Sequence, residues 1–171
     1  GYRECIGNLK NHDVSISMCG GETADVGDLV RTIIVDSTLF GRIKTKDLIS
    51  TDNIVPGDVI IGLSNTGQAT YEDRPNSSLS SNTYQGKHDL LEPRSELNGQ
   101  SLAQALLSPT RTYAPVLAKI FALTDICDIH GIINCSGGGQ TKILRFGKNV
   151  SYIKDNLFPT PPIFKMIQEH R

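Results

Sequence analysis

The stretch that decides the fold is NGQSLAQALLSPTRTYAPVL, residues Asn98–Leu117. Three apolar residues at helical spacing predict a short helix in its first half: Leu102, Ala105 and Leu106. That helix should end before Pro109, because proline lacks a backbone donor and clashes with the preceding turn. The stretch therefore predicts a helix, a sharp break and the start of a second helix.

The second helix is predicted to begin after Tyr113, and its apolar residues share one face at helical spacing: Leu117, Ile120, Phe121 and Leu123. Such a stripe is typical of core packing. Arg111 lies on the connection between the two helices. A guanidinium at this place caps a helix, joins a surface ion pair or binds a phosphate group.

Elsewhere in the chain, runs rich in β-branched and other apolar residues predict strands, over Val14–Met18, Leu29–Phe40, Val59–Leu63, Ile126–Ile133 and Val150–Ile153. Further helices are predicted from the first residues to about His12, over Thr141–Phe146 and from Pro161 onward. The polar stretch Gln68–Asn82 has neither a helical nor an alternating period. It predicts a long exposed loop.

Three loops that combine glycine with hydroxyl side chains follow predicted strands, namely Gly20–Thr23, Ser64–Gly67 and Ser136–Gly139. Strand ends are common places for ligands in open α/β architectures. The last of these loops precedes a predicted helix, so its free N–H groups and the helix dipole suit an anion, although its glycines equally suit a tight turn. Together with Arg111, the loops have the residue types of a phosphate-handling site.

Charge and cysteine content narrow the classes of function. Seventeen basic and eighteen acidic residues give a formal net charge of -1, which predicts no nucleic-acid partner and no membrane partner and favours a small-molecule ligand. The histidines lie far apart without metal-ligand spacing, so no metal site is predicted in this segment. Four widely spaced cysteines predict buried, reduced thiols of a cytoplasmic protein: Cys5, Cys19, Cys127 and Cys135.

Four motifs follow one another in the order and near the spacing of a known family. They are CGGETAD at Cys19–Asp25, PGDVIIGLSNTG at Pro56–Gly67, the Asn98–Leu117 stretch, and INCSGGG at Ile133–Gly139. The chain thereby resembles phosphoribosylformylglycinamidine cyclo-ligase, also called aminoimidazole ribonucleotide synthetase, over nearly all of its length. The segment LLSPTRTY separates this family from its relatives.

The resemblance implies an α+β fold in two domains. Residues 1–56 would be the end of an amino-terminal sheet or barrel domain, which carries the dimer interface in the family's homodimers. Residues 57–171 would be most of a carboxy-terminal mixed-sheet domain packed with helices, incomplete at its end. The chain then has the extent of a truncated, divergent member, which we expect to be inactive alone.

The resemblance also implies a reaction, the ATP-dependent and Mg²⁺-dependent cyclisation of formylglycinamidine ribonucleotide in purine biosynthesis. The formyl oxygen is phosphorylated, a nitrogen of the substrate attacks, and phosphate leaves as the imidazole ring closes. Preorganised N–H groups and a guanidinium are suited to stabilise the charge on a transferring phosphoryl group.

Family positions that contact substrate or nucleotide match eleven residues of this chain. They are Gly20, Gly21, Glu22, Thr23, Ser81, Asn82, Thr110, Arg111, Gly137, Gly138 and Gly139.

The chain departs from the family pattern at several polar positions. Ser80 stands where the family has histidine, and Lys142 and Ile143 replace a Glu-Asn pair after the glycines. Two alternatives therefore stay open. One is another ATP-using member of the same superfamily, similar to thiamine-phosphate kinase or selenophosphate synthetase, and the other is a non-catalytic homologue that serves ligand binding or dimerisation.

Overall fold

The structure is a computed structural model that describes residues 1–24, 27, 34–77 and 86–169. Its α-helices are α1 (Tyr2–Lys10), α2 (Leu102–Leu106), α3 (Ala114–Leu123) and α4 (Pro162–Gln168). Short 3₁₀ helices span Thr45–Asp47, Thr51–Asn53, Ser95–Leu97, Ile126–Asp128 and Gly139–Arg145. Two strands, β1 (Thr66–Gly67) and β2 (Asn76–Ser77), pair antiparallel.

Helix α2 begins at a capping box formed by Ser101 and Gln104. The backbone N–H of Gln104 donates to Ser101 Oγ at 3.2 Å, and the backbone N–H of Ser101 donates to Gln104 Oε1 at 2.9 Å. These bonds satisfy two donors that a helix start would otherwise leave unpaired. The helix ends before Pro109, as the sequence predicts.

The main core joins α2 to α4 and to the 3₁₀ turn Ser95–Leu97. Its buried members are Leu97, Leu102, Ala105, Leu106, Ile163 and Met166, with Ile167 packed against them. Leu102 and Ile163 are fully buried. Three of the five residues of α2 are buried in this core. They are the three apolar residues whose helical spacing predicts the helix.

The remaining helix predictions are confirmed in position, with two differences. The helix predicted over Thr141–Phe146 is a 3₁₀ helix that begins at Gly139. On α3, Leu117 and Ile120 are half-buried, whereas Phe121 and Leu123 are exposed, so the predicted core stripe is wrong at the second turn. No described residue covers that end of the helix closely enough to bury it.

The chain divides into two units. One consists of Gly1–Pro56 and Pro115–Val150, and the other consists of Gly57–Ala114 and Ser151–Arg171. The core around α2 and α4 belongs to the second unit. The α+β fold class and the domains 1–56 and 57–171 stay predictions.

None of the five predicted strands forms within the described residues, and the prediction over Ile126–Ile133 is wrong because that run begins as the 3₁₀ helix Ile126–Asp128. Val14–Met18, Val59–Leu63 and Val150–Ile153 have no ladder partner, and the described part of Leu29–Phe40 has none either. Val59 is 85% exposed and Phe40 is 81% exposed. A β-branched run becomes a strand only when a second strand pairs with it, and among the described ranges only β1 and β2 pair.

The predicted loop after Gly67 is a hairpin over its described part. Residues 68–75 connect β1 to β2, and the turn is held by hydrogen bonds to both the backbone and the side chain of Glu72. Residues 78–82 of that prediction lie outside the described residues. The prediction of an exposed loop is therefore wrong for Tyr71 and Glu72, which are partly buried.

All four cysteines are free and exposed, so the prediction that they are buried is wrong. The apolar runs beside them that suggested burial are themselves largely unpacked. A hydrogen bond with Asp125 and its negative charge raise the pKa of the Cys127 thiol. Within the described residues, no helix has the length and apolar character needed to cross a bilayer.

Candidate functional site

The residues best organised by the structure surround Arg111, on the connection between α2 and α3. The guanidinium contacts a carboxylate and several backbone carbonyls of the loop Ser64–Gly67. Its side chain is 10% exposed. A charge this sheltered requires partners, and the structure supplies them from segments that are distant in sequence.

The Arg111 guanidinium makes a two-point pair with Glu72. Nε donates to Glu72 Oε1 at 2.7 Å and Nη2 donates to Glu72 Oε2 at 3.0 Å. Nη1 donates to the carbonyl of Ser64 at 2.6 Å, and Nη2 also donates to the carbonyl of Gly67 at 3.0 Å. All three guanidinium nitrogens therefore donate to the protein itself.

Glu72 is held in place by its own hairpin. The backbone N–H of Ala69 donates to Glu72 Oε2 at 2.7 Å, and Gln68 Nε2 donates to the carbonyl of Glu72 at 2.8 Å. The Glu72 N–H donates in turn to the carbonyl of Ala69 at 3.0 Å. Since the side chain is only 16% exposed, its carboxylate faces Arg111 with little competition from water.

Three further contacts join the Arg111 connection to the same loop and hairpin. The backbone N–H of Arg111 donates to Asn65 Oδ1 at 3.0 Å. The Tyr71 hydroxyl donates to the carbonyl of Thr112 at 2.9 Å, and the Tyr113 hydroxyl donates to the carbonyl of Leu63 at 3.5 Å. We call the set of Asn65, Tyr71, Glu72, Arg111 and Tyr113 the Arg111 network.

The electrostatics of the Arg111 network follow from this geometry. Hydrogen bonds from Arg111 hold the pKa of Glu72 below its ordinary value, against the opposing effect of burial. The bond to Glu72 likewise raises the pKa of Arg111. Burial raises the pKa of both Tyr71 and Tyr113. The network is therefore an ionised pair flanked by two neutral phenols at neutral pH.

The glycine loop Ser136–Gly139 lies in the other unit and is open. Gly138 and Gly139 have φ of 92° and 53°, which suits glycine. Lys142 Nζ lies 3.5 Å from Ser136 Oγ, and Thr141 Oγ1 donates to the carbonyl of Gly138 at 2.7 Å. In the described part of the chain, the N–H groups of Gly137 and Gly138 have no protein acceptor, so this loop has the donors and the cation that a phosphate group needs.

The loop Gly20–Thr23 is exposed throughout. Gly21 has the Met18 side chain within 3.7 Å of the place where a Cβ would stand, and Gly20 has open space there. Among the described residues, Glu22 and Thr23 make no hydrogen bond or ion pair. Their side chains are therefore available to solvent and to ligands.

The predicted site residues are thus distributed over both units. Gly20–Thr23 and Gly137–Gly139 belong to the first unit, while Thr110 and Arg111 belong to the second. Thr110 is exposed beside the sheltered Arg111. Ser81 and Asn82 lie outside the described residues.

No group of three or more histidine, cysteine or acidic side chains that could hold a metal ion occurs in the described ranges.

Sequence reasoning missed Glu72 and Tyr71 as partners of Arg111. The signal in the sequence was weak, since Glu72 is one of two adjacent acidic residues within a polar stretch. An ion pair across 39 positions leaves no local period in the sequence.

The chain is similar in sequence to known proteins over nearly all of its length. It is 34% identical to the phosphoribosylformylglycinamidine cyclo-ligase of Methanococcus vannielii over 96% of its length. It is 31% identical to the protein of the same name from Methanocaldococcus jannaschii over 91% of its length, and 30% identical to that from Methanosarcina mazei over 99%. The chain is similar to phosphoribosylformylglycinamidine cyclo-ligases. The resemblance carried by its motifs is confirmed.

Coverage of these cyclo-ligases is partial. The chain spans 46% of the Methanococcus vannielii protein, 43% of the Methanocaldococcus jannaschii protein and 49% of the Methanosarcina mazei protein. It therefore spans about half the length of the curated relatives it matches. No protein-family model matches the chain.

Proposed function

We propose that the protein carrying this chain is an ATP-dependent cyclo-ligase that converts formylglycinamidine ribonucleotide to aminoimidazole ribonucleotide in de novo purine biosynthesis. The observation that carries the proposal is the similarity to proteins named phosphoribosylformylglycinamidine cyclo-ligase across 90% or more of the chain. The reaction phosphorylates the formyl oxygen with ATP, closes a C–N bond by attack of a substrate nitrogen, and releases phosphate and ADP.

The loops of the chain suit the phosphate groups of this chemistry. Gly137 and Gly138 offer free N–H groups, and Lys142 supplies a positive charge nearby. We assign an anion-binding role to this loop and substrate or nucleotide contacts to Gly20, Gly21, Glu22, Thr23 and Thr110. Ser81 and Asn82 keep the same assignment from the sequence alone. The proposal includes Mg²⁺ as a cofactor, as the sequence resemblance implies.

The proposal includes two further properties, the oligomeric state and the cellular location. We infer a homodimer in the cytoplasm, as the sequence resemblance implies. The side chains of Val35, Leu39 and Phe40 are exposed and apolar, which suits a surface that a further segment of the protein or a second chain covers. Sedimentation of the purified protein tests the oligomeric state.

The activity is tested with the purified full-length protein that carries this chain, together with formylglycinamidine ribonucleotide, ATP and saturating Mg²⁺. Formation of aminoimidazole ribonucleotide with one ADP per turnover is the expected result. The assay is repeated without the ribonucleotide, and with thiamine phosphate or selenide in its place. Turnover with one of those two substrates alone would support a different superfamily member, and no turnover with any of them would support a non-catalytic homologue.

The glycine loop is tested by Gly137→Ala. A Cβ at Gly137 has no protein atom within 4 Å, so the substitution is tolerated by the fold but obstructs a phosphate group seated on the loop. Gly7→Ala is the matched control, because Gly7 also has open space and lies in α1. We expect a raised KM for ATP or for the ribonucleotide in Gly137→Ala alone, and equal KM values in both variants would remove the anion-binding role.

A further inference from the structure

The second unit places the carbonyls of the loop Ser64–Gly67 against one guanidinium. Ser64, Thr66 and Gly67 each accept a hydrogen bond from Arg111, at 2.6, 3.5 and 3.0 Å. Three acceptors converging on one side chain fix the orientation of the peptide planes that carry them. Arg111 therefore constrains the backbone conformation of the loop.

The orientation of these peptide planes has a geometric consequence. In a trans peptide the N–H points away from the C=O of the same plane. Because the Ser64 carbonyl faces Arg111, the N–H of Asn65 points to the opposite side of the loop. That N–H has no acceptor among the described residues, so it is presented outward as a donor.

Arg111 is itself locked by Glu72, which makes two hydrogen bonds to it. A guanidinium held at two points has a fixed plane, whereas an ammonium would retain rotational freedom. The pair is also sheltered, with the two side chains 10% and 16% exposed. Each nitrogen of the Arg111 guanidinium therefore donates to the protein, and the guanidinium faces the carbonyls of the loop.

We propose that Glu72 and Arg111 are a positioning pair, which sets the loop Ser64–Gly67 so that the Asn65 N–H meets a phosphate group of the substrate. Arg111 thus acts through the loop and does not touch the phosphate itself. This inference rests on the proposed function for the identity of the substrate.

The test uses Glu72→Gln and Arg111→Lys in the protein as it exists. Glu72→Gln keeps the shape of the side chain and removes its charge, while Arg111→Lys keeps the charge and removes the planar fork. Lys148→Met is the control, because it removes an ion pair with Asp52 whose side chains are 80% and 69% exposed. Circular dichroism and thermal unfolding first establish that each variant is folded.

The first measurement is amide hydrogen exchange of residues 64–68. We expect faster exchange there in Glu72→Gln and Arg111→Lys, and unchanged exchange in Lys148→Met. Unchanged exchange in the first two variants would overturn the proposal. This measurement needs no turnover, so it decides the positioning role even if the proposed activity fails in the unmodified protein.

The second measurement is the steady-state kinetics with formylglycinamidine ribonucleotide. A pair that only stabilises the fold would lower the active fraction, and hence the apparent kcat, without changing KM. We expect KM for the ribonucleotide to rise about tenfold in Glu72→Gln, equivalent to about 1.4 kcal/mol. We expect KM to rise in Arg111→Lys as well, although that variant keeps the positive charge. A lower KM in Glu72→Gln would show that Glu72 competes with phosphate for Arg111, and full activity of Arg111→Lys would show that charge alone suffices; either result overturns the proposal.

Discussion

Two ion pairs of the same chemical type lie in very different surroundings in this molecule. Arg111 and Glu72 meet at 2.7 Å with side chains 10% and 16% exposed, whereas Lys148 and Asp52 meet at 2.9 Å with side chains 80% and 69% exposed. The distances are nearly equal. The difference lies in what else each charge contacts, since Arg111 also binds three carbonyls and Lys148 binds one carboxylate in water.

This contrast shows why a distance alone does not measure an ion pair. Water screens the exposed pair, and two long side chains lose conformational freedom to form it. In the sheltered pair, removal of one partner leaves the other charge and several carbonyls without a counterpart. The two pairs should therefore respond very differently to the removal of one partner.

Arg111→Ala should have the largest effect. The substitution leaves the Glu72 carboxylate without its positively charged partner and the carbonyls of Ser64 and Gly67 without their donor. We therefore expect a loss of about 3 kcal/mol in the free energy of unfolding. Chemical denaturation at pH 7 measures it. A loss no larger than that of Lys148→Ala would mean that the sheltered pair gains nothing from its surroundings.

Glu72→Gln should cost about 1.5 kcal/mol at neutral pH, because charge-assisted hydrogen bonds become neutral ones. Glu72 has a folded-state pKa below its ordinary value of about 4.3, so its contribution is fully present above that pH. The contribution is lost as the pH falls through the folded-state pKa. The difference in stability between the wild-type protein and Glu72→Gln should therefore be constant above about pH 5 and shrink below about pH 4.

Denaturation curves at a series of pH values measure this difference, and other titrating groups cancel because both proteins carry them. A difference that stayed constant into strong acid would mean that the charge of Glu72 does not contribute.

Tyr71→Phe should have a smaller effect, about 1 kcal/mol, since it removes one hydrogen bond to the Thr112 carbonyl and keeps the ring in place. The ion pair stays intact, so the pH dependence assigned to Glu72 should be retained. Denaturation at pH 7 and in acid checks both points. Loss of the pH dependence in Tyr71→Phe would show that the phenol is needed to form the pair.

Lys148→Ala should have the smallest effect, with no measurable change in stability and no dependence of that result on salt. The sheltered pair should likewise be insensitive to salt, because water and ions reach it poorly. Unfolding of the wild-type protein and of both alanine variants in low and high salt tests this. A salt-sensitive loss in Arg111→Ala would place the Arg111 network closer to solvent than the structure has it.

The helices were largely predictable from the sequence because their determinants are local. Leu102, Ala105 and Leu106 lie within one turn and a half, and Ser101 with Gln104 gives the cap of the same helix. A local pattern fails where burial depends on distant segments. Leu123 belongs to the predicted apolar stripe of α3 and is nevertheless 87% exposed.

Strands and the Arg111 network depend on distant segments, and the sequence was a poor guide to both. A run such as Val59–Leu63 has strand composition, yet its pairing requires a second segment that no local pattern identifies. Arg111 was identified from its motif, but its partner Glu72 was not, since side chains 39 positions apart share no periodicity. The order of the motifs predicted the similarity to cyclo-ligases, but it did not predict which side chains pair across distant segments.

The core of the second unit also sets the order of events during synthesis. Helix α2 has five residues, too few to persist in water without packing. Its packing partners Ile163 and Met166 are translated about sixty residues later, which takes several seconds on a ribosome. The nascent chain must therefore keep Leu102 and Leu106 exposed until α4 emerges, and this interval is when a chaperone has access to them.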